Sequence, residues 1–317
     1  MLLLLFVATL AHGESAPPCT EVHAHVSVLT RHDQIVSGLA ASNFVAELNG
    51  KPAQVESSMR DPLRHRLVIL VDHSGSMGGL RWHIARDATL ALLNRLPTQI
   101  PVEVISFDSD ILRLVSLDTA RPQAIQTVTQ FFSSAAPKSR TRLYDAIHAA
   151  LATLQPVRPG DLLYLISDGS DNVSNENGDQ MQKELLQSRI RMFLNLLIPS
   201  DEQYRNDDEA LWARNLTHMA EQTGGLYQTV VARESTEMDL GQREKEALLK
   251  STLWMMQNMI EDYELTLISP QPLPSKAKLK LRVNLPQATD EKFKVIAPPG
   301  ISPIAVPVLC FPMFSPS

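Results

Sequence analysis

Cysteine is nearly absent: 317 residues hold two, Cys19 and Cys310. That leaves no thiolate cluster for a zinc site. Positive charge is not in excess either. Lys and Arg number 29 against 35 Asp and Glu, for a net charge of -6 and a pI near 5.9, so no broad basic field exists to collect nucleic-acid phosphates. No apolar run reaches the roughly 20 residues a bilayer-spanning helix needs. No internal repeat is present, and no G-x-S-x-G elbow offers a serine nucleophile. What remains is an ordinary globular balance, 44% hydrophobic and 20% charged. It suffices for one large buried core or two moderate ones.

The first residues, "MLLLLFVATLAHGESAPP", carry an apolar run from Leu2 to Leu10, then Ala11-His12-Gly13 with small residues at the -3 and -1 positions of a cleavage site. This pattern predicts a signal peptide over residues 1–13 and a secreted or periplasmic protein. No lipobox precedes Cys19. An oxidising compartment would permit Cys19 and Cys310 to pair, provided their Cα atoms come within ~7 Å.

Residues 20–60 read as an N-terminal β segment. In "EVHAHVSVL" Val22, Ala24, Val26 and Val28 share one face, and Glu21, His23, His25 and Ser27 share the other. The second set reads as a solvated strand face, with no Cys or third His nearby to make His23 and His25 a metal pair. Asn49-Gly50 between two short alternating runs is a hairpin signal. From residue 64 to 235 apolar strands alternate with helical segments: "RLVILVD", "VEVISFD", "DLLYLISDG" and "IRMFLNLLI" separate amphipathic stretches. This predicts an α/β fold with a doubly wound, mostly parallel central sheet. Residues 240–317 read as a helix followed by a C-terminal β segment. The helix would pack through Leu249, Leu253, Met256 and Ile260. Strands on both sides of the α/β unit cannot each bury a core alone, so they are expected to join as one small accessory β module.

The chemistry gathers where the α/β strands end. Asp72 closes the first buried strand, and Ser74 and Ser76 follow in the pattern D-x-S-x-S. Thr141 stands just before a helix in "SRTRLYDAI", and Asp168 closes another strand in "LYLISDG". Ligands in open α/β sheets bind outside the carboxyl ends of strands. Two carboxylates with hydroxyls form a hard-oxygen set suited to Mg²⁺, Mn²⁺ or Ca²⁺. With only two anionic ligands the ion keeps positive charge and accepts an outside carboxylate. Alone, D-x-S-x-S is also a strand-to-helix turn with a capping serine.

Asp72-His73-Ser74-Gly75-Ser76, Thr141 to Ala146 and Ser167-Asp168-Gly169 together resemble the metal-ion-dependent adhesion site of von Willebrand factor type A domains. The resemblance implies a dinucleotide-binding-like fold and direct or water-mediated metal ligation by Asp72, Ser74, Ser76, Thr141 and Asp168. It implies a protein ligand that supplies a carboxylate, and no catalysis. The flanking stretches, "EVHAHVSVL" to "NGKPAQVESS" and "YELTLISPQ" to "KLKLRVN", resemble the secreted bacterial subgroup of these proteins. Two departures stand out. "KSR" replaces a Gly-rich approach to Thr141, and His73 fills a slot normally small or polar, which could bring an imidazole to the metal rim. The loop "DGSDNVSNENGDQ" reads as a mobile rim of the site. The competing enzyme reading is a Mg²⁺-dependent phosphatase using Asp72, with Arg140 and Arg142 on the phosphate. It would need a second acid where Ser74 stands.

Overall fold

A computed structural model describes residues 18–199, 207–232, 242–285, 292–301 and 307–309. Residues 1–13, where the sequence predicts a signal peptide, and Cys310 lie outside the described residues. The chain opens on three strands, β1 (Pro18–Leu29), β2 (Phe44–Leu48) and β3 (Lys51–Met59). Asn49 and Gly50 join β2 to β3 with φ of 52° and 77°. This left-handed pair matches the twist of a two-residue hairpin.

The α/β unit follows. Its elements are β4 (Leu67–Asp72), α1 (Leu80–Arg95), β5 (Val102–Phe107), β6 (Ile111–Val115), α2 (Arg121–Ser134) and α3 (Leu143–Thr153). Then come β7 (Leu162–Ser167), α4 (Gly178–Ser188), β8 (Arg191–Pro199), α5 (Asp207–Gln222) and β9 (Tyr227–Ala232). The six strands run in the order β6-β5-β4-β7-β8-β9, parallel except for the edge strand β6. β4, β5 and β7 are buried at every position, which is why they read as continuous apolar runs rather than alternating ones. Leu67, Ile69 and Val71 face a core made with α1 and α2. Val68 and Leu70 face the opposite core, made with α3, α4 and α5.

The remaining described elements are α6 (Gln242–Ile260) and the strands β10 (Tyr263–Ser269), β11 (Ala277–Val283), β12 (Lys294–Ile296), β13 (Gly300–Ile301) and β14 (Pro307–Leu309). Helix α6 joins the core of α1 and the sheet through Leu248, Met255, Met256 and Met259. Of the expected stripe, Met256 is buried and Leu253 and Ile260 pack partly buried against the same core, but Leu249 is 41% exposed while Leu248 is buried in its place. One residue is 100° of helix, and the face that wins is the one α1 and the sheet present.

Strands from the two ends of the chain interleave in one antiparallel sheet, ordered β12-β1-β10-β3-β2-β11-β13, with β14 also on β1. The joining follows the expectation, but the size does not: this sheet has eight strands against six in the α/β unit. Val22, Val26 and Val28 of β1 are fully buried in its core with Leu265 and Leu267, each Val contributing about 1.5–3 kcal/mol of hydrophobic stabilisation. Cys19 is disulfide-bonded, and the register sets Cys19 against Val308, two residues before the sequence's other cysteine.

The opposite face of β1 corrects the sequence reading. It is not a solvated face. Ser27 is 1% exposed, and the His25 side chain is 13% exposed. His25 Nδ1 donates to Asp262 at 2.8 Å, and His65 Nε2 lies 3.2 Å from the other Asp262 oxygen. Arg191 donates to Asp262 at 2.9 Å, to the Ser27 hydroxyl at 2.9 Å and to the Gly224 carbonyl at 3.0 Å. A third histidine does therefore come near His25, from 40 residues along the chain. This polar knot joins the antiparallel sheet to the lower end of β8. Burial alone would raise the Asp262 carboxyl. The hydrogen bonds from His25 and His65 and the charge of Arg191 instead hold it well below the usual carboxylate range.

Candidate metal centre

Parallel pairing brings the ends of β4 and β7 side by side, Val71 opposite Ile166. Asp72 and Asp168 therefore meet at one sheet edge. Asp72 is fully buried and Ser74 is 1% exposed. One Asp72 oxygen accepts the Ser74 amide at 2.9 Å, and the other accepts the Ser167 hydroxyl at 2.6 Å. The carboxylate is thus held from two sides in one orientation. The Ser74 and Ser76 hydroxyls stand 3.1 Å apart. Ser76 lies in a single 3-10 turn, Gly75–Met77, which places the two hydroxyls on the same side. Gly169 turns the chain after Asp168 with φ of 95°, a backbone region that side chains other than glycine avoid.

Thr141 is 2% exposed and is positioned through its backbone. Its amide donates to the Asn172 side-chain oxygen at 2.9 Å, and its carbonyl accepts from the Asn172 and Val173 amides. The approach to Thr141 is stitched to the first loop: Gly75 donates to the Ser139 carbonyl and Lys138 to the His73 carbonyl, both at 3.1 Å. Ser139 takes φ of 68°. It thus adopts the glycine-like conformation its position demands, at a cost on the order of 1–3 kcal/mol.

The "DGSDNVSNENGDQ" loop is tied down rather than loose. Asp171 accepts the Leu143 amide at 2.8 Å, and the Ser174 hydroxyl accepts the Tyr144 and Asp145 amides at 3.1 and 3.2 Å. Asp145 returns the favour to the Asn175 and Glu176 amides. Helix α3 has no side-chain cap of its own, so this loop satisfies its free first-turn donors. Asp171, Asn172 and Ser174 are positioning residues the sequence reading did not single out; the only signal was their Asx- and Ser-rich composition.

Four further side chains stand near the rim: His73, Arg81, Arg140 and Arg142. His73 turns away from it, packing against Trp82 and Phe131 with ring centroids 4.9 and 5.2 Å apart. That burial lowers the imidazole below its ordinary pKa. Arg81, unremarked in the sequence, donates to the Ser76 carbonyl and reaches within 3.5 Å of an Asp168 oxygen. Arg140 donates to the Asn172 carbonyl at 2.9 Å, and Arg142 lies 3.5 Å from Asp145. Both are engaged with the loops.

The electrostatics fit a cation. Burial and the neighbouring Asp168 push the Asp72 carboxyl up to about 7. Two carboxyls in one dry site resist joint ionisation unless positive charge is shared between them. Among the described residues no group of three or more His, Cys, Asp or Glu has metal-holding geometry. The set at this edge is of another kind, two carboxyls with the hydroxyls of Ser74, Ser76 and Thr141, and it suits a hard cation.

Residues 67–170 match the family described as the von Willebrand factor type A domain. The inter-alpha-trypsin inhibitor heavy chain H3 of Bos taurus is 24% identical over 198 residues, covering 57% of this chain and 21% of that protein. The chain thus spans about a fifth of the length of that curated relative. A solved structure titled von Willebrand factor type A from Catenulispora acidiphila shares 12% identity at a TM-score of 0.47, over 90% of this chain and 75% of that one. The conserved hypothetical protein BatB from Bacteroides thetaiotaomicron shares 17% at 0.43, over 61% and 98%. The family match runs from β4 through the turn after β7 and takes in Asp72, Ser74, Ser76, Thr141 and Asp168, so residues 67–170 of this chain match a von Willebrand factor type A domain.

Proposed function

We propose that the chain binds a protein ligand through a divalent ion, Mg²⁺ by preference, held by Asp72, Ser74, Ser76, Thr141 and Asp168. Domains of this family serve broadly in protein interaction rather than catalysis. The observation that carries the metal reading is the Asp72–Asp168 pair, Asp72 fully buried at one sheet edge, where burial and the Asp168 charge push the Asp72 carboxyl up to about 7. The ion would retain net positive charge on this ligand set and so attract a carboxylate. Asp72 is fixed by Ser167 and the Ser74 amide, and Thr141 by Asn172, so the oxygens are preorganised. The ligand is a partner with an exposed Asp or Glu. Export as a secreted or periplasmic protein of the bacterial subgroup belongs to the same reading. No helix among the described residues is long and apolar enough to cross a membrane.

The test is thermal unfolding with and without millimolar Mg²⁺. Wild type is expected to gain stability, and Asp72→Ala and Asp168→Ala to gain none while keeping their far-UV circular dichroism. A wild type indifferent to Mg²⁺, Mn²⁺ and Ca²⁺ would end the reading. Turnover of p-nitrophenyl phosphate that disappears in Asp72→Asn would favour the phosphatase instead. Arg140 and Arg142, the side chains that reading needs, are already committed to Asn172 and Asp145.

A further inference from the structure

The oxygens gathered at the ends of β4 and β7 already face a positive charge from the chain itself. Arg81 reaches them from the first turn of α1. Its Nη1 atom donates to the Ser76 carbonyl and stands 3.5 Å from Oδ2 of Asp168. One nitrogen thus spans the loop after β4 and the loop after β7. Asp168 turns Oδ2 to Arg81, and its other oxygen accepts the Ser170 amide at 3.1 Å. The side chains of Arg81 and Asp168 are 14% and 6% exposed, so salt and water screen the pair only weakly.

Helix α1 gives no reason for an arginine at this position. Its first turn holds no acidic residue, and Gly79 before it offers no side-chain cap. The first amides of a helix present partial positive charge, which a cation in the same turn opposes. An acid would serve the helix better there.

The carboxyl pair does give a reason. Asp72 and Asp168 share a dry edge and resist joint ionisation unless a cation is near. Arg81 supplies such a charge, while Arg140 and Arg142 are turned to Asn172 and Asp145. The hold on Asp168 is loose. A charge-assisted contact of this kind closes to about 2.7–2.9 Å at its best, and Nη1 stops well short of that. A contact so made neutralises the carboxylate without locking it, and a stronger cation can take its place.

We propose that Arg81 is a tethered competitor of the divalent ion: its guanidinium holds Asp168 until an ion arrives, and the ion must displace it to bind. The inference rests on the reading of this edge as an ion site. A guanidinium and a divalent ion beside one carboxylate repel each other, the more so where the surroundings are poorly polarisable. Arg81 therefore sets the ion concentration at which the site fills, and with it the concentration at which a partner's carboxylate can be captured.

The test is calorimetric titration with Mg²⁺ at pH 8, joined to thermal unfolding in EDTA and in saturating Mg²⁺, for wild type, Arg81→Gln and Arg81→Lys. Arg81→Gln removes the charge and should bind Mg²⁺ about tenfold more tightly than wild type, the scale of one like-charge contact removed. Arg81→Lys keeps the charge and should stay within about threefold of wild type. In EDTA Arg81→Gln should melt below wild type, because Asp168 loses its counter-charge, and saturating Mg²⁺ should shrink that deficit. A residue that only braces the loop through the Ser76 carbonyl would instead lower both melting temperatures alike and weaken Mg²⁺ binding. Mg²⁺ binding by Arg81→Gln no tighter than by wild type, or Arg81→Lys binding as tightly as Arg81→Gln, would overturn the proposal and leave the ion site standing. No Mg²⁺ binding by wild type and Arg81→Gln alike would overturn the ion site and this inference with it.

Discussion

Asp72 shows how a single residue connects fold to chemistry. Its side chain was legible in the sequence because an apolar run stopped at an acid, and strand ends are where α/β sites form. Its protonation was not legible, because it depends on Asp168, Ser167 and total burial. The folded state keeps the Asp72 proton up to about pH 7, whereas the ordinary value is 3.8. The folded state therefore binds more protons than the unfolded chain between those values, and unfolding free energy falls as pH rises through that window. The loss is on the order of 4 kcal/mol. Urea unfolding in EDTA at pH 5 and pH 8, which spans only the upper part of the window, should show about 2–3 kcal/mol of this loss in wild type, and Asp72→Asn should show much less of it. Parallel pH dependence in the two proteins would contradict the placement of Asp72 in a dry site beside Asp168. His73 and Arg81 mark the limit of residue-level reading. The spacing set His73 beside the site but could not show that Trp82 and Phe131 draw its ring away. Nothing in the pattern singled out Arg81.

At the scale of elements, α3 depends on a loop that comes from elsewhere in the chain. Its first-turn amides are met by Asp171 and Ser174, and an acidic group there also complements the helix dipole. Asp171→Ala and Ser174→Ala should each cost about 1 kcal/mol, the scale of a lost cap. Amide exchange at Leu143, Tyr144 and Asp145 should accelerate more than in the middle of α3. Uniform loss of protection along the helix would instead indicate a global effect. Hydrophobic period identified the buried strands β4, β5 and β7 well, because their apolar runs leave no other element that fits. It placed Leu253, Met256 and Ile260 of α6 correctly but chose Leu249 over Leu248, and it mistook the His25–Ser27 face of β1 for a wet one. In each case the side chains that decide, those of α1 and the Asp262–Arg191 pair, come from distant sequence.

The whole molecule is held at its seam by charge. Arg191 is 2% exposed and depends on Asp262 for its counter-charge. Removing one partner of a buried pair strands the other, typically at about 3–5 kcal/mol. Asp262→Ala should therefore destabilise the protein by about that amount. Asp262→Asn should also do so, since an amide keeps the shape but not the charge. A change under about 1 kcal/mol in both would mean that water reaches Arg191 and the seam is not dry. The joining of terminal strands was legible from a simple argument, that neither end could bury a core alone. The eight-stranded extent was not, because the short strands β12, β13 and β14 carry too few residues to show a period.

The central claim is that Asp72, Ser74, Ser76, Thr141 and Asp168 form one divalent-ion site. Calorimetric titration of chelator-treated protein with Mg²⁺ at pH 8, where Asp72 has given up its proton, tests it most directly. The account predicts saturable binding of one ion per chain, lost in Asp168→Ala. No binding heat for Mg²⁺, Mn²⁺ or Ca²⁺ in the wild type, or undiminished binding in Asp168→Ala, would contradict it.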